Sequence, residues 1–263
     1  MSVIAEGPLA GKTLHWLVEN RRDELLGPAK LAQGRFPLLI KILDAQDRLS
    51  LQVHPPEAVA AQLGGEPKTE MWYMAHTEPG AEIFVGLKQG GNRAEFEQRL
   101  QAGTVVDCFH RLGVRPGDAM FLPSGRVHAI GGGNVIFEVQ QNSDTTYRVF
   151  DWNRLDAAGN RRPLHVAESL QSIDFGDFEP SLIASEFLGD KVKLRDLVVD
   201  RLFQVHEYEC AEGMSLVIQD RRLLIFGVIS GRLQADDGRC QIRLGPGRFC
   251  LIRGCVDQVA LLS

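Results

Sequence analysis

Short apolar runs separated by proline- and glycine-rich turns dominate the first two thirds of the chain. Within many of these runs polar and apolar residues alternate at a period of two, which is typical of β-strands. Strands spaced this closely and joined by Pro and Gly turns predict a β-barrel or a jelly roll. The predicted strands cover residues 36–43, 49–54, 68–74, 82–87, 119–122, 127–130 and 135–140.

Apolar residues at helical spacing predict a few short helices among these strands. The first covers residues 12–26, with Thr13 as its N-cap and Gly27-Pro28 as its stop. The others are predicted at residues 57–63, 93–100 and 166–170.

The pattern of strands resumes after about residue 175, with segments at 203–209, 223–229, 231–233, 241–244 and 249–252. Residues 151–172, which include a turn at 156–160, would connect the two regions. We therefore predict two domains, residues 1–174 and residues 175–263.

The run Gly131-Gly132-Gly133 is predicted to close a plain hairpin between the strands at 127–130 and 135–140. It is not a phosphate-binding loop, because no G-x-G-x-x-G pattern leading into a helix surrounds it.

Composition narrows the class of protein. The 263 residues are 44% hydrophobic and 24% charged, which is ordinary for a soluble globular chain. A net charge of −5 argues against nucleic acid or an anionic membrane as a partner. The N-terminus lacks a signal-peptide pattern, and the five cysteines form no Cys-x-x-Cys pair, so neither disulfides nor a thiolate zinc site is indicated. We expect a cytoplasmic protein, either a monomer or a weak homodimer.

Residues 50–56 carry the first candidate chemistry. Alternation places Ser50, Gln52 and His54 on one side of a strand that Pro55-Pro56 ends. An imidazole and an amide roughly 7 Å apart along a strand are within reach of one ion. The alternative from this stretch alone is a solvated face on an edge strand.

A second stretch favours the metal site. Gly117, Pro123, Gly125 and His128 stand at the spacing G-x5-P-x-G-x2-H, which resembles the second signature of the cupins, small β-barrels that bind a metal inside. The spacing suits a strand, a tight Pro-Gly corner and a second strand whose His returns to the barrel mouth.

The first cupin signature carries His-x-His and then Glu. Gln52-x-His54 and, after a helical insertion, Glu70 stand in its place. Nitrogen and oxygen ligands from separate strands describe an open catalytic site, for which zinc is the commonest occupant. Manganese, iron or cobalt would accept the same mixture.

The resemblance extends to one family. Four segments, in order along the chain, are similar to segments of the class I mannose-6-phosphate isomerases: Leu51-Gln-Val-His-Pro55, Lys68-Thr-Glu-Met-Trp-Tyr73, Pro123-Ser-Gly-Arg-Val-His-Ala129 and Glu138-Val-Gln-Gln-Asn-Ser-Asp-Thr-Thr-Tyr-Arg-Val-Phe-Asp151. The match runs from about Gly7 to the end of the chain.

The resemblance implies an enzyme that interconverts mannose 6-phosphate and fructose 6-phosphate with one zinc ion. It implies that His54, Glu70 and His128 hold the zinc, usually joined by the position of Gln52. It further implies that Arg148 is an active-site residue, that Lys68 is a candidate for proton transfer, and that Lys41 and Ser50 are candidates for phosphate contact.

The chemistry of the residues agrees with this. Lys68 and Glu70 lie two apart on a predicted strand, so both point toward the metal pocket. Isomerisation needs a base and a group that stabilises charge on oxygen. Glu138 and Asp144 are further candidates for the base or for substrate contact, and the sequence does not rank them. For Lys41 and Arg148 the alternative is a surface cation.

Two departures from the family accompany the match. Its members usually carry an additional N-terminal segment with Trp-Gly-Gly and Gly-Glu-x-Trp motifs before the position of Gly7, and we expect its absence here to expose apolar surface or reduce activity. The second departure lies in the C-terminal region. If the C-terminal region is aligned with the N-terminal one so that Gly247 corresponds to Gly117, Gln258 stands at the position of His128. The C-terminal region therefore keeps the strand pattern but lacks the histidine that follows the Pro-Gly corner.

The overall prediction is a mainly β chain of two cupin-type jelly-roll units with a few short helices, of which only the N-terminal unit binds metal. Two other functions stay open. One is a protein of this fold that binds metal or a sugar phosphate without turnover. The other is a metal-dependent cupin oxygenase, which would leave Lys68 and the segment from Asp144 to Arg148 without a purpose.

Overall fold

A computed structural model describes residues 2–155 and 158–263 of the chain. It divides into two compact units, Leu38–Ala184 and a second unit made of Met1–Pro37 with Ser185–Ser263. The predicted domains, 1–174 and 175–263, have other limits than these units, since they place residues 1–37 with residues 38–174. The first two residues of the turn predicted at 156–160 lie outside the described residues.

The strands of the unit Leu38–Ala184 form two antiparallel sheets. In chain order they are β1 (Leu38–Ala45), β2 (Leu51–Val53), β3 (Glu70–Thr77), β4 (Glu82–Leu87), β5 (Phe109–Gly113), β6 (Ala119–Leu122), β7 (His128–Ile130), β8 (Asn134–Gln141) and β9 (Tyr147–Phe150). One sheet has the order β1-β8-β3-β6, and the other has the order β5-β4-β7-β2-β9. Most consecutive strands lie in different sheets, which is the arrangement of a jelly roll.

The hairpin predicted at Gly131-Gly132-Gly133 is wrong. β7 pairs with β2 and β4, whereas β8 pairs with β1 and β3, so the glycine turn carries the chain from one sheet to the other. The turn is tightly packed, because a Cβ on Gly131 would lie 2.3 Å from the carbonyl oxygen of Glu82. A run of glycines marks a turn but does not say which strand is the partner.

Apolar side chains fill this unit in two clusters. The first includes Leu51, Phe84 and Val149, and the second includes Trp72 and Ile136, all of them fully buried. Each large side chain buried in this way stabilises the fold by about 1.5–3 kcal/mol. The first cluster joins strands of the sheet β5-β4-β7-β2-β9 to the helices and loops beside it, whereas the second draws on both sheets and holds them together.

Short helices lie between the strands, as predicted. The helix expected at residues 12–26 is divided at Arg21, which has a φ of −141°. Thr13 is the N-cap, accepting the Trp16 N–H at 3.0 Å, and this confirms the predicted start. The helices are α1 (Leu14–Asn20), α2 (Arg22–Leu26), α3 (Glu57–Ala60), α4 (Arg93–Ala102) and α5 (Val166–Ser172), with 3₁₀ turns at Ala61–Leu63 and Val105–Cys108.

The second unit is also mainly β. Its strands are β10 (Leu188–Gly189), β11 (Val192–Val199), β12 (Gln204–Cys210), β13 (Ser215–Ile218), β14 (Leu224–Gly227), β15 (Leu233–Asp236), β16 (Gln241–Leu244), β17 (Phe249–Ile252) and β18 (Val259–Leu262). They form sheets of the orders β10-β11-β12, β13-β18-β15-β16 and β14-β17. The mainly β fold with a few short helices is therefore confirmed.

Among the described residues, the helices are too short or too polar to cross a lipid bilayer.

Candidate metal centre

Three side chains from separate strands meet inside the jelly roll. The potential ligand atoms of His54, Glu70 and His128 all lie within 4.8 Å of one another. Glu70 Oε2 is 3.5 Å from His54 Nε2, and Glu70 Oε1 is 3.4 Å from His128 Nε2. The three residues are 1%, 0% and 1% exposed in the order His54, Glu70 and His128.

The two sheets bring these residues together. His54 follows β2 and His128 begins β7, which are neighbours in one sheet, while Glu70 begins β3 in the other. The Pro-Gly corner joins the two histidine segments, since the Gly125 N–H donates to the His54 carbonyl at 2.8 Å. Gly125 has a φ of +96°, a conformation that L side chains rarely adopt. The spacing of Pro123, Gly125 and His128 thus reflects a real corner between sheets.

Hydrogen bonds to main-chain carbonyls orient both imidazoles. The Nδ1 of His54 is 2.8 Å from the Thr145 carbonyl, and the Nδ1 of His128 is 2.9 Å from the Arg126 carbonyl. A carbonyl oxygen only accepts, so each Nδ1 carries the hydrogen and donates it. In a neutral imidazole this leaves the lone pair on Nε2, and both Nε2 atoms face Glu70. Metal-binding histidines are commonly oriented in this way.

The Glu70 carboxylate fits a metal ligand. Both its oxygens are buried without an aligned hydrogen bond, although the Lys68 Nζ lies 2.9 Å from Oε2. Burial would raise the pKa of Glu70, but His54 above all, and also His128 and Lys68, hold it well below its usual range. Burial lowers the pKa of His128 to about 3, against the attraction of Glu70. An ionised carboxylate and two imidazole Nε2 atoms that converge suit zinc, and also manganese, iron or cobalt.

Gln52 and Lys68 border this group. The Gln52 Nε2 is 3.3 Å from the His128 Nε2, and the two residues are paired across β2 and β7. The nitrogen and oxygen of an amide exchange places by a half-turn, so the Gln52 side chain can present either atom to an ion. The Lys68 Nζ is 3.2 Å from the His54 Nε2, in a side chain that points into the group as predicted.

A second polar cluster lies on β1, β3 and β8. The Lys41 Nζ donates to Glu138 Oε2 at 2.7 Å and to Gln140 Oε1 at 2.5 Å. The Trp72 Nε1 donates to Glu138 Oε1 at 3.3 Å, and its ring meets that of His128 edge-on at 5.2 Å. Trp72 therefore links the Glu138 cluster to the candidate metal ligands. Sequence reasoning missed Gln140, although alternation places it on the same face as Glu138.

Arg148 lies on β9 opposite Gln52. Its Nη1 donates to the Pro163 carbonyl at 2.8 Å, while its buried Nε has no hydrogen-bond partner among the described residues. Ser50 is 9% exposed and directly precedes β2, so alternation turns it to the side of Gln52. Asp144 is exposed, and none of the described hydrogen bonds or ion pairs joins it to the ligand group.

The chain is similar to known isomerases in sequence and structure. The family model for the catalytic domain of type I phosphomannose isomerases matches residues 1–68 of this chain. A mannose-6-phosphate isomerase of Streptococcus mutans is 36% identical over 256 residues, which cover 96% of this chain and 78% of the relative. The crystal structure of the mannose 6-phosphate isomerase from Bacillus subtilis superposes with a TM-score of 0.88 at 30% identity, covering 99% of this chain and 82% of that one.

A mannose 6-phosphate isomerase crystallised with zinc and yttrium shares the fold, with a TM-score of 0.71 at 17% identity and coverage of 96% of this chain and 83% of that one. The identity and coverage of the Streptococcus mutans relative show kinship beyond the fold. The chain therefore belongs to the class I mannose-6-phosphate isomerases, the type I phosphomannose isomerase family.

Proposed function

We propose that this chain interconverts D-mannose 6-phosphate and D-fructose 6-phosphate, and that it uses one zinc ion held by His54, Glu70 and His128 with Gln52 beside them. The observation that carries the proposal is the buried Glu70 carboxylate, which faces two imidazole lone pairs and lacks an aligned hydrogen bond. A divalent cation would satisfy all three groups. The family to which the chain belongs supplies the reaction.

The reaction moves a proton between C2 and C1 of the sugar and passes through an enediol. Bound zinc would supply a Lewis acid that stabilises negative charge on the substrate's oxygens. The protein's own side chains must then hold the sugar, exclude water and carry the proton. The burial of the ligand group keeps this chemistry away from bulk water.

Two groups are placed to carry the proton. The Lys68 Nζ lies beside His54 and Glu70 at the inner end of the site. Glu138 is 3% exposed and receives hydrogen bonds from Lys41 and Trp72. Asp144, the third candidate, is exposed, so we assign it to substrate contact at the rim of the site rather than to proton transfer.

Two cationic side chains and a hydroxyl would hold the oxygens of the substrate. Lys41 and Ser50 are assigned to the phosphate, which a lysine binds as a point charge and a hydroxyl as a donor. The Lys41 side chain is 36% exposed, so its ammonium is open to a ligand as well as to Glu138. Arg148 has a buried Nε free of partners among the described residues, which gives it a donor for a substrate oxygen.

Direct measurement of turnover tests the proposal. The purified chain is added to mannose 6-phosphate, and the appearance of fructose 6-phosphate is followed with and without a chelator. We expect conversion that the chelator stops. Binding of the sugar phosphate without conversion would identify a non-catalytic binding protein instead, and oxygen consumption would identify an oxygenase. The cytoplasmic location and the monomeric or weakly dimeric state stay predictions from the sequence.

A further inference from the structure

A buried carboxylate at the end of β9 has no part in the chemistry described above. Asp151 is 6% exposed and directly follows β9. Arg162 donates to both of its oxygens, from Nε to Oδ2 at 2.7 Å and from Nη2 to Oδ1 at 2.5 Å. Arg154 donates from Nη2 to Oδ1 at 2.5 Å. We call Asp151, Arg154 and Arg162 the Asp151 cluster.

One arm of the Asp151 cluster leads to Arg148. Arg162 immediately precedes Pro163, whose carbonyl accepts the Arg148 Nη1 at 2.8 Å. The main-chain N–H of Arg148 donates to the Nδ1 of His165 at 3.0 Å, and the main-chain N–H of His165 donates to the Arg148 carbonyl at 2.9 Å. Three hydrogen bonds therefore hold Arg148 against residues 163–165, and the bidentate contact of Arg162 with Asp151 sets where that segment lies.

The other arm leads to the strand that carries Ser50. The Arg154 Nη1 donates to the Arg48 carbonyl at 2.7 Å, and the Trp152 Nε1 donates to the Leu49 carbonyl at 2.7 Å. The Arg48 guanidinium also lies over the Trp152 ring, 4.8 Å from its centroid. These carbonyls stand directly before Ser50 and β2, so the same carboxylate is connected to the segments of Arg148 and Ser50, the two residues assigned above to the substrate's oxygens.

The backbone between the arms is strained. Trp152 and Asn153 each have a φ of 56°, a left-handed conformation that residues with side chains adopt at a cost. Such a conformation persists only where surrounding contacts determine it, and it is concentrated at functional sites. The contacts of Trp152 with Leu49 and of Arg154 with Asp151 lie on either side of this turn.

We propose that Asp151 is a positioning residue for the isomerisation. Through Arg162 it sets the direction of the Arg148 guanidinium, and through Arg154 it sets the start of the strand that presents Ser50. The inference rests on the proposed function, since it concerns the residues assigned to the sugar phosphate. None of the described contacts of Asp151 is with His54, Glu70 or His128.

The variant Asp151→Asn tests the role. An amide keeps the shape but has no charge, has one accepting oxygen and turns a donor toward an arginine, so both arms lose their ion pair and at least one hydrogen bond is lost. We expect kcat to fall about tenfold or more, because small displacements of catalytic groups cost this much. Bound zinc per chain should be unchanged. Hydrogen exchange at the amides of Arg148 and His165 should become faster.

Two further variants separate positioning from folding. Glu207→Gln removes an ion pair with Arg195 in the other unit, where the side chains are 15% and 11% exposed for Arg195 and Glu207. It should leave kcat and the exchange at His165 as in the wild type. Arg162→Gln acts on a side chain that is 48% exposed, so the fold should tolerate it. It should lower kcat in the same direction as Asp151→Asn but less, because the Arg154 arm remains.

Several results would overturn the inference. An unchanged kcat in Asp151→Asn, accompanied only by a lower melting temperature, would make Asp151 a structural residue only. A lower KM at constant kcat would show an effect of charge on the anionic substrate and not of position. If the wild-type chain fails to isomerise mannose 6-phosphate, the proposed function is wrong, and faster exchange at His165 then decides alone whether Asp151 holds the segment.

Discussion

Lys68 and Glu70 form a buried ion pair, with the lysine Nζ 2.9 Å from the carboxylate Oε2 and side chains that are 5% and 0% exposed, respectively. Removing one partner of a buried ion pair leaves the charge of the other uncompensated, which is costly unless a third group of the same sign takes the place of the missing partner. Here a bound cation would do so. The pair therefore joins the group assigned to proton transfer to a group assigned to the metal.

The variant Lys68→Met separates these two roles. We expect kcat to fall by about 10²-fold or more, the order contributed by a positioned acid or base, while zinc stays bound at the wild-type stoichiometry because lysine is not assigned as a ligand. Steady-state kinetics and metal analysis measure both effects. Lys88→Met, which changes an exposed lysine, is the control and should behave as the wild type. Loss of zinc in Lys68→Met would make the lysine a structural support of the ligand group.

Lys41→Met tests the assignment of the phosphate. If the contact is equally strong in the ground state and the transition state, the variant raises KM for mannose 6-phosphate much more than it lowers kcat. The alternative is that Lys41 serves only to hold Glu138, to which it donates at 2.7 Å. In that case kcat falls and KM changes little, and the phosphate must bind elsewhere.

Arg148→Lys tests transition-state stabilisation. Lysine keeps the charge but loses the planar fork and the buried Nε donor of Arg148. We expect kcat to fall by about 10²-fold or more, the order seen when one donor to a developing oxyanion is removed, with bound zinc unchanged. Near-normal kcat would show that Arg148 is peripheral, and loss of zinc would show that it supports the fold of the site.

The glycine turn between β7 and β8 tests the fold. A Cβ on Gly131 would lie 2.3 Å from the Glu82 carbonyl, so Gly131→Ala forces the backbone to move and should lower the free energy of unfolding by about 1–3 kcal/mol. Gly113→Ala is the matched control, because nothing lies within 4 Å of a Cβ there. Thermal unfolding should show a lower melting temperature for the first variant alone. Equal melting temperatures would argue against the close contact between Gly131, which directly follows β7, and Glu82, at the start of β4.

Alternation and turn chemistry predicted most strands of the unit Leu38–Ala184. The strands at Glu82–Leu87 and Ala119–Leu122 begin and end where the pattern placed them. The strand at Phe109–Gly113 was missed, and so were those at Ser215–Ile218 and Val259–Leu262. The pattern also did not predict which strands pair, because sheet pairing depends on contacts between residues far apart in the sequence. At the Gly131 turn, for example, the two consecutive strands β7 and β8 belong to different sheets.

Side chains of the candidate site were easier to predict than the main chain that orients them. His54, Glu70 and His128 belong to recognisable motifs and converge in the structure. Thr145 and Arg126 orient the histidines through their carbonyls, which every residue type possesses, so their identity carried no signal. The Asp151 cluster was missed for another reason, since its arginines occur in a charged connection where solvated side chains are the usual expectation.

Titration of zinc into the metal-free chain, with bound metal and the rate of mannose 6-phosphate isomerisation measured together, tests the metal centre most directly. We predict that both rise in parallel and saturate at one zinc per chain. His54→Ala and His128→Ala should bind no stoichiometric zinc, while His76→Ala, which changes an exposed histidine, should match the wild type. Full activity in the metal-free chain, or a full complement of zinc in either ligand variant, would contradict the account.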